Sequence, residues 1–102
     1  MREKIERLSV LYLELTDILQ QEGSDQAKYL LRNVHHSLAL IEERNLPDDL
    51  LFQELFSTYR GLTVPHAGLS DFYLWDEDFD TRIEANKAVD QIKSELHQIF
   101  WS

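Results

Sequence analysis

The chain has 102 residues, 43% of them hydrophobic, and carries nineteen Asp and Glu against ten Lys and Arg for a formal net charge of −9, with no cysteine. That length fits a single domain spanning residues 1–102 with one modest core, and the excess of acids argues against a basic nucleic-acid binder, because little is present to neutralise phosphates. The lack of cysteine removes disulfides, thiolate metal sites and thiol catalysis together; no apolar run approaches the roughly 20 residues of a membrane span and no signal peptide opens the chain, so a cytoplasmic domain is expected.

Glycine and proline divide the chain into four segments. The first, Arg2 to Glu22, places Ile5, Leu8, Leu11, Tyr12, Leu15, Ile18 and Leu19 at three- and four-residue steps. This is one apolar stripe on an amphipathic helix, and Gly23 is its expected C-terminal stop. The second begins at Ser24 or Asp25, either of which can cap a helix. Ala27, Leu30, Leu31, Val34, Leu38 and Ile41 continue the helical period. The short turn between the two segments predicts an antiparallel hairpin.

The third segment opens near Pro47, which a first helical turn tolerates, and Asp48 and Asp49 follow where negative charge complements the helix dipole. Leu51, Phe52, Leu55, Phe56 and Tyr59 form its apolar face, and Gly61 is expected to end it. Residues 62–75 are irregular, because Pro65 and Gly68 break any long helix. The run Leu69-Ser70-Asp71-Phe72-Tyr73-Leu74-Trp75 fits either an extended strand or a short helical turn. The fourth segment runs from about Asp78 to Phe100, with Phe79, Ile83, Asn86, Val89, Ile92, Leu96, Ile99 and Phe100 as its stripe. The expected architecture is all-α: a small bundle of four helices with a structured aromatic and acidic loop before the last.

Charge is unevenly distributed along these segments. Between Pro47 and Asp80 the acids are Asp48, Asp49, Glu54, Asp71, Asp76, Glu77, Asp78 and Asp80, and Arg60 is the only base. Eight acids and one base leave −7 of the −9 in that stretch. Such polarity suggests an acidic face aimed at a basic partner, since complementary charge speeds and orients association. Phe72, Tyr73 and Trp75 lie in the same stretch, and aromatics beside charge are the makings of an interface anchor. A structural account competes with this one. Acids that precede a helix cap its free amides and favour its dipole, and Phe72, Leu74 and Trp75 can fold back to close the core.

Catalytic and metal-binding patterns are weaker. Asp76-x-Asp78-x-Asp80 begins like a calcium loop, but Thr81 replaces the turn glycine and Lys87 the bidentate glutamate. His35 and His36 are adjacent, so on a helix they point about 100° apart and cannot share one ion; His66 and His97 are isolated in sequence. Glu3-x-x-Glu6 and Glu22-x-x-Asp25 are similar to the paired carboxylates with which all-helical MazG-type nucleotide pyrophosphohydrolases hold magnesium. The second pair straddles the turn at Gly23. There is no activated serine and no phosphate-cradling glycine loop.

The stretch Tyr59-Arg60-Gly61, then Gly68 to Trp75, then the helix carrying Asn86, Ile92 and Leu96 resembles small bacterial helical proteins. Some of these look like the immunity or antitoxin partners of secreted toxins. The resemblance covers the C-terminal half and implies a non-enzymatic inhibitor of a basic toxin domain. Colicin-type immunity proteins are likewise small, acidic and four-helical, although their tyrosine-tyrosine-proline segment is missing here. The expected partner-binding residues are Asp48, Asp49, Tyr73, Trp75, Asp76, Glu77, Asp78 and Asp80, with no cofactor, no metal and a basic protein as partner. A magnesium-dependent hydrolase using Glu3, Glu6, Glu22 and Asp25, and a helical oligomerisation domain, are the alternatives.

Overall fold

A computed structural model describes residues 1–43, 45–63, 68–69, 72, 74 and 77–101. These form a small all-α bundle of four helices: α1 (Arg2–Glu22), α2 (Asp25–Glu43), α3 (Asp48–Leu62) and α4 (Phe79–Trp101). The molecule measures 46 × 24 × 23 Å, elongated along the bundle.

Helix α1 is the central element and packs against the other three. Its stripe of Ile5, Leu8, Leu11, Tyr12, Leu15 and Leu19 is buried along the whole length, because one 3.6-residue period keeps these side chains on one face. Gly23 ends α1 as expected: its φ of 66° is left-handed, and its N–H donates to the Leu19 carbonyl at 3.2 Å. Of the two candidate caps for α2, Ser24 serves, its Oγ accepting the Ala27 N–H at 3.1 Å. The tight turn returns α2 against α1, and Ala27, Leu30, Val34 and Ile41 enter the core.

Helix α3 extends one residue past its expected stop. Gly61 is helical, and the end falls at Thr63, whose N–H donates to the Tyr59 carbonyl at 3.1 Å. Gly61 lies beside Asn33, whose Nδ2 donates to the Thr58 carbonyl at 3.1 Å, and a Cβ on Gly61 would make ordinary contact with that nitrogen at 3.5 Å. Pro47 precedes α3 at the N-cap rather than entering its first turn.

Two of the described residues between α3 and α4 join the core. Leu69 and Phe72 are buried to 1% exposure, and the Phe72 N–H donates to the Leu69 carbonyl at 3.1 Å. Asn86 of α4 then straps the backbone down. Its Oδ1 accepts the Leu74 N–H at 2.7 Å, and its Nδ2 donates to the Leu74 carbonyl at 2.8 Å. Asn86 thus belongs to the fourth stripe as a polar clasp rather than as an apolar core residue. Phe79 and Ile83 depart from that stripe altogether, at 61% and 40% exposure, because at about 100° per residue they lie to one side of the line through Val89, Ile92, Leu96 and Phe100. The buried face of α4 is Val89, Ile92, Leu96 and Phe100.

Candidate functional site

Helix direction decides where the acids go. Arg7 of α1 forms a bidentate ion pair with Glu95 of α4, at 2.9 and 2.8 Å, and Glu14 lines the same groove as Ala88 and Gln91. The two helices are therefore antiparallel, and the end of α1 lies level with the start of α4. Asp48, at the start of α3, lies 3.6 Å from Arg2 at the start of α1. A helix of the length of α1 spans about 30 Å. Asp48 and Asp49 consequently sit at one end of the bundle, and Glu77, Asp78 and Asp80 at the other. The acids of the third and fourth segments, contiguous in charge along the sequence, do not form one face. Tyr73, Trp75 and Asp76 lie outside the described residues.

The end carrying α4 gains acids that the linear reading did not group with it. Glu22 and Asp25 flank the α1–α2 turn and stand at the same end as Glu77, Asp78 and Asp80. Phe79, also at this end, is exposed, with the Arg82 guanidinium 5.2 Å from its ring centroid. Glu77, Asp78 and Asp80 are all exposed. Asp78 also has a structural duty. Its Oδ2 accepts the Thr81 hydroxyl at 2.6 Å and the Thr81 N–H at 3.1 Å, capping α4. Those bonds, the hydroxyl's first, hold its carboxyl below the usual carboxylate range.

The opposite end is electrostatically mixed. Arg2 approaches Asp48, and the Lys4 ammonium lies 5.7 Å from the Phe52 ring centroid. An aromatic cluster backs this end: Phe100 stacks on Tyr59 at 4.5 Å and contacts Phe52 and Phe56 at 5.4 and 5.6 Å.

The same geometry separates the paired carboxylates. Glu3 and Glu6 stand in the first turns of α1, whereas Glu22 and Asp25 flank its far end. About 28 Å of helix lies between the pairs. A magnesium ion holds its ligands at about 2 Å, so the four carboxylates cannot clasp one ion.

Two features escaped the sequence reading. One is a polar seam inside the bundle. Ser37 is fully buried and donates to the Asn33 carbonyl at 3.2 Å, and the fully buried Tyr12 hydroxyl lies beside Ser37 and Tyr59 without a well-formed hydrogen bond. Burial, reinforced by the neighbouring Tyr59 phenol and eased by Ser37, pushes the Tyr12 phenol far above its ordinary range. Its place in an apolar stripe gave no signal of this. The other is a cleft of about 300 Å³ lined by Tyr59, Thr63, Leu69, Lys93, Ser94 and His97. Only the spacing of Lys93 and His97, one turn apart, hinted that they share a face.

Comparison of the chain with protein-family models, with curated proteins and with solved structures gives no match.

Proposed function

We propose that the protein is a non-enzymatic acidic binding protein that occludes a basic partner, with a bacterial toxin domain such as a nuclease as the kind of partner. The carrying observation is the end of the bundle where α4 begins, at which Asp25, Glu77, Asp78 and Asp80 are exposed, Glu22 is half-buried and the Phe79 ring is exposed. Exposed carboxylates of one sign raise the rate of encounter with a cationic surface, and an aromatic ring among them supplies contact area once the surfaces meet. Glu77 and Asp80 steer; Phe79 anchors, alongside Tyr73 and Trp75 of the preceding loop, with Asp76 adding charge. Asp48 and Asp49 belong to the other end and take no part in this contact.

The test is a measured association rate with the product of the neighbouring gene, at low and high salt. Glu77→Lys with Asp80→Lys leaves the Asp78 cap intact, and is expected to slow association at low salt by at least tenfold. An on-rate that the charge reversal leaves unchanged overturns the reading.

A second reading, a helical oligomerisation domain, draws on Val10 and Leu13, which are 43% and 56% exposed one turn apart on α1. A sedimentation mass independent of concentration removes it.

A further inference from the structure

The hairpin of α1 and α2 presents two outward stripes of opposite charge. On α1, Glu6, Val10, Leu13 and Asp17 are all exposed and fall within about 60° of one another at 100° per residue. On α2, Lys28, Arg32, His35 and His36 are exposed within an arc of about 100°, and the helix carries no acid between Asp25 and Glu42. None of these charged side chains forms an ion pair with another of the described residues. We propose that this face pairs with a second copy of the chain, the acidic stripe of each α1 lying on the basic stripe of the other copy's α2. The proposal rests on the oligomerisation reading of Val10 and Leu13 and goes beyond it by assigning the pairing.

The hairpin sets the register. The turn at Gly23 and Ser24 returns α2 against α1, so Glu22 stands level with Asp25, Asp17 with Leu30 and Leu13 with Val34. A two-fold axis parallel to the hairpin keeps those levels and exchanges the helices. Asp17 then lies between Lys28 and Arg32 of the second copy, and Leu13 beside its His35. Each crossing occurs twice, because the interface is isologous. Glu6 comes level with Ile41, next to Glu43, and adds no attraction, so the charge pairing is confined to the half nearest the turn. Two helices about 30 Å long and about 10 Å apart offer roughly 600 Å² per copy, about 1,200 Å² in total, the lower limit for a specific dimer. The segment after α3 meets α2 elsewhere: Gln26, which donates to the Gly68 carbonyl at 3.5 Å, lies about 120° round the helix from Arg32.

The experiment is sedimentation velocity of the full chain up to about 500 µM, at low and high salt. The parent, Asp17→Arg, Arg32→Asp and an equimolar mixture of the two variants are compared. The parent is expected to dimerise with a Kd of about 50 µM at low salt, and at least tenfold more weakly at high salt. Each variant alone sets like charges at both crossings and is expected to stay monomeric at about 500 µM. The mixture restores opposite charges at both crossings and is expected to dimerise within about threefold of the parent. Both substitutions fall at exposed helix positions, and recovery in the mixture reads pairing rather than folding. A parent that remains monomeric at about 500 µM overturns this pairing and the oligomerisation reading together. A dimer that both variants retain, or that the mixture does not restore, overturns the pairing alone.

Discussion

The two ends of the bundle differ in how their charges are used. At the end where α1 and α3 begin, charge is engaged locally: Arg2 approaches Asp48, Lys4 lies over Phe52, and a stack of four aromatic rings stands behind them. At the end where α4 begins, Asp25, Glu77 and Asp80 are exposed, Glu22 is half-buried, and the Phe79 ring is 61% exposed. The first end spends its side chains on closing the fold, and the second leaves them available. Charge density along the sequence is therefore a poor guide to charge density on the surface. Asp48 and Asp49 enter the acidic tally on sequence and leave it once helix direction is known, whereas Glu22 and Asp25 do the reverse.

That contrast can be broken most sharply by aromatic truncation. Phe100→Ala empties the centre of the stack and is expected to cost about 3 kcal/mol. Phe79→Ala at the other end is expected to change stability by less than about 0.5 kcal/mol. Urea unfolding of both variants checks the pair, and equal losses would abolish the distinction. Next in size is Asn86→Ala, which leaves the Leu74 amide and carbonyl without their clasp. A loss of about 2 kcal/mol is expected, with Phe72 and Leu74 gaining hydrogen exchange before the helices do.

Gly23→Ala forces a side chain into a φ of 66°, and about 1 kcal/mol of destabilisation is expected in thermal unfolding. The space beside Gly23 is open, so the loss measures backbone strain alone. A double-mutant cycle on Arg7 and Glu95 is expected to give a coupling of about 0.5–1 kcal/mol that fades with salt, because both side chains are partly exposed. The smallest effect is at Asp78. Its carboxyl is held below the unfolded value, so the stabilisation is present above the unfolded carboxylate pKa of about 3.9 and is lost as pH falls through the lower folded value. Asp78→Asn keeps a capping oxygen but removes this acid-side loss, which a pH series of melting temperatures reads directly.

Much of the fold is legible in the residues. The stripe of α1, the Gly23 stop, the Ser24 cap and the four helical segments follow from the 3.6-residue period and the chemistry of helix ends, which are local properties. The run Leu69 to Trp75 was open on sequence because it suits either an extended strand or a turn; of its described residues, Leu69 and Phe72 are placed by burial in the core and Leu74 by its hydrogen bonds to Asn86, all long-range contacts. Phe79 and Ile83 fall at roughly helical spacing yet lie outside the core, since the buried line of α4 runs through Val89, Ile92, Leu96 and Phe100 and passes to one side of them.

The sequence by itself determined the four helical segments and the Gly23 stop, because each depends on residues within a turn or two of one another, and composition alone gives the sign of the net charge. Only the tertiary structure decided which acids share an end, that the Glu3–Glu6 and Glu22–Asp25 pairs stand too far apart for one metal ion, and that Tyr59, Leu69, Lys93 and His97 wall a common cleft. Those outcomes rest on helix direction and register between elements distant in the chain, and packing of the whole core fixes both.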